Sequence, residues 1–225
     1  MTRNLKISLS LVAALVAGVL VVLLVAGSSD EEPASAAETV AAGTAAEPAV
    51  PVIRPDSHRL STARDGKVTL VEFLDFECES CGALYPYMEE LREQYDGRVT
   101  FAIRYFPLPG HFNGENAALA VEAAARQGAL EPMYRLMFET QAEWGEARTS
   151  HAKTFEGYAR RLGLDMARFR RDVADPSTAA RVARDQDDGY DLGVEATPTL
   201  FLNGEPLPIE SPEQLQAAID GALAE

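Results

Sequence analysis

Chemistry is most legible in this chain at Cys78-Glu79-Ser80-Cys81. Two thiols at this spacing lie one turn apart if a helix starts at the first. A cysteine at a helix N-terminus feels the positive end of the macrodipole and a set of unpaired backbone N–H groups. Both favour thiolate, the nucleophile of disulfide exchange. The second cysteine, one turn on, can attack a mixed disulfide and release the product. Three other readings stand beside this one. A structural disulfide would close so short a loop that it confers modest stability. Half a zinc site would need further ligands, but His58, His111 and His151 are scattered and no second metal-like pair exists. The third reading is two inert core cysteines. Strand–CxxC–helix context in an exported domain favours redox chemistry. No metal and no cofactor are expected.

The elements that must position the pair follow from the hydrophobic pattern. Residues 68–76 (VTLVEFLDF) are β-branched and aromatic, as in a central strand buried on both faces. After the cysteines, Leu84, Met88, Leu91 and Tyr95 share one helical face. Residues 99–106 (VTFAIRYF) alternate, with Val99, Phe101, Ile103 and Tyr105 on one side. This βαβ order implies a parallel strand pair. From about 113 to 190 the pattern is helical. An alanine-rich helix runs to Gly128, and a second carries Met133, Tyr134, Leu136, Met137 and Phe138 in the core. Gly163 reads as a stop, and Asp165 and Ser177 as N-caps. Residues 199–202 form a strand, and Asn203-Gly204 is a type I′ hairpin signal. Leu207 and Ile209 lie on the return strand, which Pro206 and Pro208 confine to a sheet edge. Ser211-Pro212-Glu213 opens a last helix with Leu215, Ile219 and Leu223. No internal repeat is found.

Composition bounds the function. The chain has 225 residues and a net charge of −15, from 20 Lys+Arg against 35 Asp+Glu. So acidic a chain lacks the phosphate-neutralising surface of a nucleic-acid binder. Residues 7–27 are apolar except for Ser8 and Ser10, and as a helix would span roughly 31 Å, a bilayer core. Arg3 and Lys6 precede the run; Asp30, Glu31 and Glu32 follow it. The positive-inside rule puts the N-terminus in the cytoplasm and the rest outside. A cleaved signal peptide is the competing reading, with Ala34-Ser35-Ala36 as its site, but the length favours an uncleaved anchor. Residues 28–56, rich in Ala, Glu, Pro and Thr, read as a disordered linker reaching about 30 Å. Residues 57–225 form one domain by length, and most of the charge belongs to it.

Glu72-Phe73-Leu74-Asp75-Phe76-Glu77-Cys78-Glu79-Ser80-Cys81, with Thr197-Pro198-Thr199-Leu200-Phe201-Leu202-Asn203-Gly204, resembles the thioredoxin superfamily. The long helical stretch between them resembles its DsbA-like branch of thiol:disulfide oxidoreductases. The resemblance runs from about Lys67 to the C-terminus. It implies an α/β thioredoxin fold with a helical insertion over about 111–193. Cys78 would be the exposed attacking thiol and Cys81 the buried resolving one. Thr197-Pro198 would be a cis-proline loop pairing with an extended substrate; Glu79 and Ser80 would also face substrate. Pro86 would kink the active-site helix. Glu72 matches a buried acid that exchanges a proton with Cys81, though a rim residue reaching solvent is the alternative. For Asp75 a turn or capping acid is an equal reading.

One departure stands out. Asp75, Glu77 and Glu79 place negative charge around Cys78, where many relatives have Pro after the first cysteine. Like charge disfavours a thiolate, so the sequence predicts a weaker oxidant than the strongest members. His111 reads as a helix-entry or surface histidine, and Arg160, Arg161, Arg168, Arg170 and Arg171 as a solvated face. The leading expectation is a monomeric, membrane-tethered, extracytoplasmic oxidant of exported proteins. The family implies reoxidation by a quinone-linked integral-membrane partner. A reductant of extracytoplasmic disulfides, a dimeric isomerase and a non-catalytic binding module or holdase are the alternatives.

Overall fold

The computed structural model describes residues 50–225. The apolar run 7–27 and most of the linker lie outside them. Among the described residues no helix is long and apolar enough to cross a membrane.

A five-stranded sheet carries the fold, in the order β1-β3-β2-β4-β5. These are β1 (His58–Ser61), β2 (Val68–Leu74), β3 (Val99–Tyr105), β4 (Thr199–Leu202) and β5 (Glu205–Pro206). β2 and β3 pair in parallel, from Val68 opposite Val99 to Leu74 opposite Tyr105, as the βαβ order requires. β4 runs antiparallel to β2. β1 was not legible in the sequence; it adds antiparallel to β3 with an irregular register. Asn203 and Gly204 take φ of +53° and +91° and turn the hairpin. The return strand is only two residues long, shorter than expected, and its proline leaves it at the edge.

Alternation sorts the two sheet faces. Val68, Leu70, Phe101 and Leu200 pack under α1 (Glu79–Gln94) and the C-terminal helix α7 (Pro212–Ala224). Glu72 has the same parity as Val68 and Leu70, so its side chain enters this face. Val71, Phe73, Ala102 and Phe201 pack on the other face with Val52 and Val194.

Between β3 and β4 stand five helices. They are α2 (Gly114–Ala125), α3 (Leu130–Glu139), α4 (Ala152–Arg161), α5 (Met166–Val173) and α6 (Pro176–Asp191). Alanines of α2 and the Met133, Leu136 and Met137 face of α3 build their shared core. Asp165 caps α5 by accepting from the N–H groups of Ala167 and Arg168. At α6 the cap is Asp175, not Ser177. Pro176 fills the first helical position, where no N–H is needed, and the Asp175 carboxylate accepts from Ser177 N.

Two further features depart from the sequence reading. Residues 50–56, assigned to the linker, pack onto the domain. Val52 is buried against the sheet, and Arg54 pairs with Asp188 on α6. Arg104, fully buried on β3, meets Asp185 and Asp188 and donates to the Val52 carbonyl. A buried guanidinium needs such partners, and they tie the N-terminal segment to the helices.

Candidate active site

Cys78 is the N-cap of α1, in extended backbone (φ −69°, ψ 121°), and Cys81 sits in the first turn. Both thiols are free. Cys78 is 6% exposed and Cys81 1%. The expected exposed thiol is therefore largely covered, because its Sγ lies 3.2 Å from the Thr197 carbonyl oxygen. The Thr197–Pro198 peptide is cis. Its loop arrives from the far end of the chain, between α6 and β4, to face the dithiol.

The two sulfurs differ sharply. The Cys78 pKa is lowered from 9.0 to about 5. The Cys81 thiol contributes most by hydrogen bonding to the thiolate. Burial opposes, and the Thr197 side chain and the backbone N–H groups of Cys81 and Ser80 assist. Among the described residues Thr197 Oγ1 is buried with no hydrogen-bond partner while Cys78 is a thiol, so its hydroxyl is available to the thiolate. The helix-start reading thus has its physical counterpart. Cys81 moves the other way, well above the usual thiol range, from burial first, then the Cys78 hydrogen bond and the charge of Glu72.

Glu72 lies on β2 beneath α1 and is 3% exposed, so it does not reach the rim. Burial, then the charge of Cys78, raises its pKa from 4.5 to about 8. It is protonated at neutral pH and within electrostatic reach of both sulfurs. A carboxylic acid poised near pH 8 beside a high-pKa thiol is suited to moving the Cys81 proton.

The predicted crowding of Cys78 by Asp75, Glu77 and Glu79 does not occur. Asp75 turns inward, where Oδ1 accepts from Glu77 N and Oδ2 from Leu108 N, both at 2.8 Å. Asp75 Oδ2 also meets His111 Nδ1 at 2.6 Å. Glu77 is buried and accepts from Asn113 N. These acids satisfy the backbone of the β3–α2 loop, and neither is among the main influences on the Cys78 pKa. His111 is therefore no free surface histidine. Burial disfavours its charged form, but the Asp75 hydrogen bond and charge outweigh that and raise its pKa. Glu79 is exposed on α1, and its carboxylate lies near His111 and Glu146, the one group among the described residues arranged to hold a metal ion.

Gln141 was missed by the sequence reading. It stands in a short 3₁₀ turn (Gln141–Glu143) after α3. Its Nε2 donates to the carbonyls of Phe76 (2.8 Å) and Cys78 (2.9 Å), so the insertion grips the loop that carries the nucleophile. Gly82 makes room for it; a Cβ there would lie 2.0 Å from Gln141 Oε1. A lone glutamine after an apolar helix carries no sequence signal. Pro86 lies inside α1, which continues to Gln94. Below it Phe76, Tyr85, Tyr134 and Phe138 form an aromatic cluster with centroids 5.1–6.1 Å apart.

On the other side of the dithiol is an open groove of about 810 Å³. Ser80, Leu84, Pro198, Leu200, Leu207 and Ile209 are among its lining residues.

A thioredoxin-type sheet with a helical insertion gives the chain a DsbA-like architecture, with an asymmetric dithiol at a helix start. The chain belongs to the Thioredoxin family, whose pattern matches residues 60–221. Among solved structures it is similar to a thioredoxin-like oxidoreductase from Silicibacter pomeroyi. That match has 26% identity and a TM-score of 0.64, over 78% of this chain and 97% of that one. It shares its fold with alpha-DsbA1 of Wolbachia pipientis, at 18% identity and a TM-score of 0.67, over 76% and 93% of the two chains. Among curated proteins it is 38% identical to the Na(+)/H(+) antiporter NhaA 3 of Salinispora tropica over 177 residues. That is 76% of this chain and 26% of the antiporter. The chain spans about a quarter of the length of the curated relatives it matches.

Proposed function

We propose that this chain oxidises the thiols of exported proteins from the outer face of a membrane. The observation that carries the reading is the opposed perturbation of the two cysteines, with Cys78 at about 5 and Cys81 well above the thiol range. A stabilised Cys78 thiolate favours the reduced state of the pair and makes its disulfide a ready oxidant. In the oxidised pair a substrate thiolate attacks Cys78 Sγ. The Cys78–Cys81 bond breaks, and its electron pair goes to Cys81, which takes a proton from Glu72. A second substrate thiolate then attacks the substrate sulfur of the mixed disulfide and expels Cys78 as thiolate. The substrate leaves with a disulfide, and two electrons remain on the Cys78–Cys81 pair.

An extended substrate would pair with the Thr197–Pro198 backbone and lay apolar side chains along the groove. Ser80 and Pro198 line that groove. Phe112, 55% exposed, offers a further apolar contact. Residues 7–27 would anchor the chain, with its N-terminus cytoplasmic. Similarity to proteins named as antiporters supports a membrane setting for such domains. Reoxidation falls to a quinone-linked integral-membrane partner, and the chain works as a monomer.

Equilibration of the full chain with glutathione tests the direction of flow. The expected potential lies between about −120 mV, for a pair whose thiolate has a pKa near 3.5, and about −270 mV, for one near 7. A value at or below about −270 mV makes the protein a reductant and overturns the proposal.

A further inference from the structure

We propose that Glu79, His111 and Glu146 form a binding site for a divalent cation of the zinc class at the edge of the active site. The three residues come from separate parts of the fold. Glu79 is in the first turn of α1, His111 in the β3–α2 loop, and Glu146 in the loop that follows the 3₁₀ turn. One ligand atom from each lies within 4.8 Å of the others. Ligands on a tetrahedral zinc ion, about 2.0–2.1 Å from the metal, stand roughly 3.3 Å apart, so small side-chain rotations close the site.

A second observation, outside the three ligands, concerns the imidazole. Its Nδ1 is bonded to Asp75 Oδ2 at 2.6 Å, and its Nε2 makes no hydrogen bond among the described residues. Asp75 is itself buried and locked by two backbone N–H groups. A carboxylate behind a histidine fixes its tautomer and aims the other nitrogen, the arrangement found behind metal-ligating histidines. Neither glutamate has an ion-pair partner among the described residues, although Arg148 lines, with His111 and Glu146, an open cavity of about 450 Å³. Two carboxylates neutralise a dication, the imidazole ligates once its Nε2 has given up any proton, and the imidazole favours zinc over calcium or magnesium. A fourth position stays open to solvent. Such an ion would clamp the first turn of the active-site helix to the 145–148 loop of the insertion. This binding does not depend on the redox reading.

The test is calorimetric titration of Zn²⁺ into the full chain carrying Cys78→Ser and Cys81→Ser, so that thiols cannot bind the ion. One equivalent should bind, and Glu146→Gln or Glu79→Gln, both at exposed positions, should each weaken it about tenfold or more. His111→Gln should abolish it; because His111 also supports Asp75, that result counts only alongside the two glutamate variants. Absence of saturable binding overturns the proposal. So does binding that Glu79→Gln and Glu146→Gln leave unchanged, which would place the ion elsewhere.

Discussion

Replacing Glu72 by Gln should change how stability depends on pH, in a direction and size set by its burial. The native carboxyl keeps its proton up to about pH 8, whereas an ordinary glutamate loses it at 4.5. Between those values the unfolded chain releases a proton that the native state retains. Native stability contributed by this group is therefore full below about pH 4.5, falls as pH rises, and levels off above about 8. The slope is about 1.4 kcal/mol per pH unit, so the whole window amounts to at most about 5 kcal/mol. Glutamine has no proton to lose, and every other group titrates alike in the two proteins. The stability of Glu72→Gln minus that of wild type should thus rise by several kcal/mol from pH 5 to 8. Urea unfolding of the oxidised proteins at half-unit pH intervals measures it. In that form the Cys78 charge is absent and burial, the larger cause, acts alone. A flat difference, within about 1 kcal/mol, would show that Glu72 is ionised or solvated, and its proposed role in moving the Cys81 proton would fall with it.

Three other perturbations follow from the same geometry. Cys81→Ala removes the main hydrogen bond to the Cys78 thiolate, worth about 1.5–3 kcal/mol, so the Cys78 pKa should rise from about 5 to about 6–7. Thiolate absorbance against pH reads this directly, and an unmoved midpoint contradicts the assignment. Gln141→Leu keeps the volume but frees the Phe76 and Cys78 carbonyls. It should lower stability by about 1–3 kcal/mol and also raise the Cys78 pKa; a stability loss with an unchanged titration would make Gln141 structural only. Arg104→Leu removes the buried cation shared by Asp185 and Asp188, leaving them only Arg181 and Arg54, and should destabilise the fold by about 3–5 kcal/mol in urea unfolding, whereas a neutral result would mean that those two arginines suffice.

Much of this protein was legible in its residues because the informative signals are local. Cysteine spacing at a strand-to-helix junction depends on neighbours a few positions away. So do the apolar run of β2, the alternation of β3, the Asn203-Gly204 turn and the Asp165 cap. Together they give the parallel pair and the nucleophile, while the buried place of Glu72 was implied only by the family resemblance. Asp175 displaced Ser177 as a cap because Pro176 resets which N–H groups need a partner, a finer local rule. What depended on long-range packing was not readable. The short β1 gains meaning only by pairing with β3. Arg104 in a strand looks like a rim residue until Asp185 and Asp188, eighty positions on, arrive from α6. The acids Asp75 and Glu77 looked like a cloud of charge over Cys78, because a sequence gives proximity along the chain and not direction. In the folded protein they turn to the N–H groups of Leu108 and Asn113. The Cys78 thiolate is then governed by Cys81, burial, Thr197 and the N–H groups at the start of α1. Chemistry in this chain is set by which groups are present, and that is written in the sequence. Their protonation is set by burial and by what each one faces, and only tertiary structure supplies those.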